Sequence, residues 1–95
     1  MLARTLQVSD VVNIGSQQLR LSSIDRTQRN CIISIGNVDF LLVEGDAIDV
    51  EGGYMVIPEI NYSVRCNFHV DKDVKINHIK KGDQDEPVST TYRFK

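Results

Sequence analysis

The chain has 95 residues, of which 41% are hydrophobic and 25% charged, and its net charge is −2. That length supports one hydrophobic core, so residues 1–95 are expected to form a single domain, and the composition excludes a disordered chain. No run approaches the roughly 18 apolar residues of a membrane span, and no basic-then-apolar leader opens the chain, so a cytoplasmic protein with no membrane contact is expected.

The dominant period is two, which predicts strands and little or no helix. The first third reads as strands over Arg4–Val8, Val11–Ile14 and Gln17–Ile24, with turns at Ser9-Asp10 and Gly15-Ser16. Leu19 and Leu21 point to one side. Asp25 to Asn30 is a polar connection that carries Arg26, Gln28 and Arg29.

Turn chemistry then predicts two hairpins. Cys31–Ile35 and Val38–Val43 flank Gly36-Asn37, where glycine accepts the positive φ of a two-residue turn. Ala47–Glu51 and Tyr54–Ile57 flank Gly52-Gly53, which sets Val50 against Met55 and Ile48 against Ile57. Pro58 lacks an amide donor and is expected to end that strand or lie on an edge.

The clearest alternation runs from Tyr62 to Val70. Tyr62, Val64, Cys66, Phe68 and Val70 are expected inside, with Arg65, Asn67 and His69 outside. A return strand from Val74 to Ile79 would follow across Asp71-Lys72-Asp73, placing Phe68 near Ile76 and His78 near Cys66. Gly82 to Pro87 reads as a mobile acidic loop. Val88 to Phe94 alternates again, as a strand that either closes its own sheet or pairs with another subunit. The sum is an all-β domain, a small antiparallel barrel or sandwich built from hairpins. Its open edges favour a homo-oligomer.

Little points to catalysis. There is no Gly-x-Ser-x-Gly, phosphate loop or His-x-x-x-His, and the two cysteines, Cys31 and Cys66, lie in apolar runs as reduced core residues. The acidic residues lack the calcium-loop spacing, so no metal and no cofactor is expected. Charge is uneven: residues 1–30 carry +2, residues 31–60 carry −6 with no Lys or Arg, and residues 61–95 carry +2. An anionic partner should meet the two ends of the chain and avoid the middle.

Met1, Leu2, Thr5, Val8, Asp10, Ile14 and Gly15 stand at the spacing of a known opening, with Asp10 in place of a glutamate. Arg29-Asn30-Cys31-Ile32-Ile33-Ser34-Ile35 looks like the strand that follows. Over roughly residues 1–40 the chain therefore resembles the carbon storage regulator family of small RNA-binding translational repressors. It departs from that pattern at Leu6, where the family has a basic residue. Glu44-Gly45-Asp46-Ala47-Ile48 has no arginine where the family carries one for RNA, and Gly52-Gly53 opens a return strand where the family forms a helix. The resemblance implies a non-catalytic regulator that holds a short unpaired RNA segment and occludes a ribosome-binding site. Arg4, Arg26 and Arg29 would contact RNA, with Arg65 from the second half. The alternative is a protein-interaction or structural module, a small subunit of a larger assembly. It would act through β-edges and an acidic face of Glu44, Asp46, Asp49 and Glu51 offered to a basic protein partner.

Overall fold

A computed structural model of the chain describes residues 1–80. The predicted loop at 82–87 and the strand at 88–94 lie outside the described residues.

Nine strands follow one another without a helix among the described residues: β1 Leu2–Leu6, β2 Val11–Ile14, β3 Gln17–Asp25, β4 Asn30–Ile35, β5 Val38–Val43, β6 Ala47–Val50, β7 Gly53–Ile60, β8 Val64–Val70 and β9 Ile76–Ile79. They form two antiparallel sheets. One has the order β1-β8-β7-β6 and the other β5-β4-β3-β2-β9. The inner faces share one core. Leu6, Met55, Ile57, Val64, Cys66 and Phe68 come from the first sheet, and Val12, Ile14, Leu19, Leu21, Cys31 and Ile33 from the second. The arrangement is a two-layer sandwich, one of the two all-β forms that the alternation allows.

The tight hairpins follow their turn residues. Gly36 has φ of 62° and closes β4 on β5 with Ile35 opposite Val38. Gly15 has φ of 59° and closes β2 on β3 with Ile14 opposite Gln17. Between β6 and β7 the register differs from expectation. Ile48 faces Met55 and Val50 faces Gly53, so the turn residues are Glu51 and Gly52. The reason is steric. A Cβ at Gly53 would lie 2.0 Å from the carbonyl oxygen of His69, so this glycine belongs in the ladder against β8. Pro58 neither ends β7 nor lies on an edge. It sits where the β7–β8 register shifts between Val56 and Glu59, an irregularity that tolerates a residue without an amide hydrogen.

The expected hairpin of β8 with Val74–Ile79 does not form. β8 is already flanked by β1 and β7, so neither of its edges is open. The chain instead crosses to the other sheet, where β9 pairs with β2, setting Ile76 opposite Ile14 and His78 opposite Val12. The crossing is held by Asp71 N–H donating to Gly52 O (3.1 Å) and Val74 N–H to Asp71 O (3.0 Å).

Candidate nucleic-acid interface

The outer face of the four-stranded sheet is organised around β8. Val64, Cys66 and Phe68 are buried, which turns Arg65, Asn67 and His69 outward. Successive outward residues on a strand stand about 7 Å apart, so these three make a line of about 14 Å. β1 sets Thr5 beside Arg65 and Ala3 beside Asn67. β7 sets Glu59 beside Arg65, Val56 beside Asn67 and Tyr54 beside His69.

An aromatic group stands at each end of this line. Tyr54, 45% exposed, stacks on the His69 ring with centroids 4.8 Å apart and planes inclined by 12°. At the other end Tyr62 lies in the short turn before β8. It is 76% exposed, which corrects its expected place in the core: the alternation ends at Val64, two residues later. The guanidinium carbon of Arg26 sits 3.5 Å from the Tyr62 ring centroid, a cation–π contact. Tyr62 also borders a cleft of about 270 Å³ lined by Thr5, Glu59, Asn61, Ser63 and Arg65. Tyr62 thus has Arg26 on its ring and shares a cleft with Arg65.

The other two candidate arginines are placed differently. Arg29 Nη1 lies 3.1 Å from Glu44 Oε2 and 3.5 Å from the Ile60 carbonyl oxygen, so its charge ties the β3–β4 turn to the end of β7. Arg4 is half-buried and donates to the Ala3 carbonyl oxygen (2.9 Å). It borders the gap between β1 and β9 beside Ile76, Asn77, His78 and Lys80.

Three of the four candidate acidic residues hold loops. Glu44 Oε2 accepts from the Ile60 N–H (2.8 Å) as well as from Arg29. The Ile60 N–H, then the Arg29 side chain, holds its carboxyl below the usual glutamate range. Glu51 Oε1 accepts from the Ser16 hydroxyl (2.6 Å) and the Ser16 N–H (3.0 Å), which lower its pKa in that order. Asp46 Oδ2 accepts from the Val43 N–H (2.9 Å). Glu44 and Asp46 share no strand face, because Gly45, with φ of 92°, turns the chain between β5 and β6. Asp49 faces outward in β6, opposite Tyr54.

His78 is not beside Cys66. Its Nε2 lies 3.0 Å from Asp10 Oδ2. Both cysteines are free and buried, and burial pushes the Cys31 thiol up to about 11 and the Cys66 thiol to about 12. Neither offers a thiolate at neutral pH. Among the described residues no group of three or more His, Cys, Asp or Glu side chains is placed to hold a metal ion.

Sequence reasoning set Arg65, Asn67 and His69 outward but missed the Tyr54–His69 stack. The alternation around buried Met55 already turned Tyr54 outward. What it could not supply was the strand beside β7. A scan against protein-family models, and searches of curated proteins and of solved structures, return no match to this chain.

Proposed function

We propose that this protein is a non-catalytic binder of single-stranded RNA that uses the outer face of its four-stranded sheet. The observation that carries this reading is the pair of exposed aromatic stacks, Arg26–Tyr62 and Tyr54–His69, joined by the line Arg65, Asn67 and His69. Unpaired bases stack on exposed aromatic and guanidinium planes, and each stacked base contributes about 1–3 kcal/mol. Tyr62 and Tyr54 would each take a base. Arg65 and Arg26 would meet phosphates, and Asn67 can both donate to and accept from a base edge. The opening resemblance to carbon storage regulators adds the regulatory role: a segment held this way at a ribosome-binding site is closed to the ribosome.

The net charge of −2 argues for stacking over charge as the main source of affinity. With two phosphates contacted, log K should fall against log salt with a slope of about −1.4. The test is fluorescence anisotropy with a GGA-containing hairpin RNA, the element the resembled family prefers, and a scrambled control across a salt series. Binding that weakens in Tyr62→Ala, Tyr54→Ala and Arg65→Ala is the expected result. No binding at low salt, or unchanged affinity in all three variants, overturns the reading. Equal binding of both RNAs removes the sequence preference and leaves the stacking.

The second reading, a protein-interaction module acting through strand edges, is favoured by one observation. β5 is an edge strand whose Leu41, Val38 and Val43 are 66%, 54% and 45% exposed.

A further inference from the structure

We infer that β5 is a self-pairing edge, through which two copies of this chain join into one continuous antiparallel sheet. The inference is independent of RNA binding and concerns the opposite layer of the sandwich.

The backbone decides which groups are open. The Val43 N–H donates to Asp46 Oδ2 and the Val43 carbonyl accepts from the Asp46 N–H (3.0 Å), so both point away from β4. Period-two alternation sends the polar groups of Leu41 and Asp39 the same way, while those of Val38, Phe40 and Leu42 face β4. The two-residue turn agrees, since Val38 stands opposite Ile35 as the pair that flanks it. Among the described residues β5 has a neighbour on one side only. It carries no Lys, no Pro and no register shift, the devices that usually guard an edge.

These facts select one register. Asp46 already occupies Val43, so the open groups are those of Asp39 and Leu41. An antiparallel second copy satisfies both when Asp39 faces the second copy's Leu41 and Leu41 faces its Asp39, with the two Phe40 residues opposed at the axis. This arrangement is its own two-fold mate. It also accounts for Val38, whose side chain takes the inward direction shared with Phe40 and Leu42 yet stays 54% exposed. The second copy's Leu42 would lie opposite it. The two Asp39 residues fall diagonally across the seam, with Cα atoms about 7–8 Å apart, close to one Debye length. Each is also engaged at home by the Ser34 hydroxyl (2.6 Å).

The apolar patch is on the order of a few hundred Å² per copy, below the ~800 Å² of a standard stable interface. The dimer is therefore weak and concentration-dependent, and a foreign strand would gain the same backbone bonds without the matched apolar pairs.

The test is analytical ultracentrifugation of the RNA-free protein from micromolar to millimolar concentration. A monomer–dimer equilibrium is expected, and Leu41→Lys should weaken it about tenfold or more with an unchanged circular dichroism spectrum. Opposed Phe40 residues have Cα atoms about 4.5 Å apart, within disulfide reach. Phe40→Cys should therefore cross-link between chains on oxidation, while the buried Cys31 and Cys66 leave wild type uncross-linked. A monomer at millimolar concentration overturns the inference. So does a dimer that Leu41→Lys leaves intact, or one in which a folded Phe40→Cys variant fails to cross-link.

Discussion

The Asp10 carboxylate and the His78 imidazole lie 3.0 Å apart across 68 residues of sequence, and both side chains are nearly enclosed. With Asp10 ionised, His78 Nε2–H is the donor. Asp10 Oδ2 also accepts from the Gln7 N–H at 3.0 Å, so one carboxylate shapes the corner between β1 and β2 and anchors β9. Ser9, with φ of 82°, completes that corner. This aspartate is the residue that stands for a glutamate in the opening resemblance, and here its work is structural.

Asp10→Ala should therefore cost about 1–3 kcal/mol, the penalty for leaving buried donors without an acceptor. His78→Ala should cost less, because the Gln7 contact survives. Urea melts of both variants check the order, and equal stability of Asp10→Ala and wild type would contradict it.

The glycines differ sharply in what they tolerate. Gly53→Ala places a Cβ against the His69 carbonyl oxygen and the Val70 backbone, and should cost about 2–3 kcal/mol or prevent folding. A Cβ at Gly45 meets open space, although its φ of 92° disfavours a side chain. Gly45→Ala should cost only about 1 kcal/mol. Thermal melts of the pair separate steric from conformational cost.

Glu44 and Glu51 make stability depend on acidity. The folded state lowers both pKa values, so each carboxylate contributes in full once pH lies above its unfolded value. As pH falls the contribution shrinks, and it is gone once the folded carboxyl is itself protonated. Glu51→Gln should melt below wild type at neutral pH, with a gap that narrows on acidification. A gap that stays constant through the carboxylate range would exclude the Ser16 contacts as its source.

Arg29 separates the two roles assigned to arginine. Its guanidinium is engaged by Glu44 and the Ile60 carbonyl, so Arg29→Ala should lower the melting temperature and change RNA affinity less than about twofold. Arg65→Ala should do the reverse. Anisotropy and melting curves on both variants check this crossing pattern.

Native thiol alkylation should be slow for both cysteines, whose pKa values lie near 11 and 12, and complete once the chain is unfolded. Mass spectrometry after a timed iodoacetamide pulse gives the comparison. Rapid labelling of folded protein would mean that the core opens.

The fold was legible wherever local chemistry decides. Gly36 and Gly15 announce their turns, and alternation through Val64, Cys66 and Phe68 separates core from surface. Lateral neighbours were not legible. Nothing in residues 71–79 shows that both edges of β8 are taken, so the sequence alone pairs β9 with the strand nearest in the chain instead of with β2. The same limit hides the candidate site. Tyr54 and His69 face outward on any reading, yet only the β7–β8 register brings their rings together. Nor does alternation show that Glu44, Asp46 and Glu51 fasten turns, because a side chain's short-range donors depend on loops that alternation does not describe.

The pairing of β1 with β8 sets a schedule for synthesis. β2 through β5 form a meander of neighbouring strands, and β6 with β7 a second local unit, each able to assemble as it leaves the ribosome. Leu2–Leu6 must wait for Val64–Phe68, and Val11–Ile14 gains its outer neighbour only with Ile76–Ile79. β1 is thus made some sixty residues before the strand that satisfies it. Until Val64–Phe68 is made, its apolar residues, Leu2 and Leu6, stay open to chaperones and to neighbouring nascent chains.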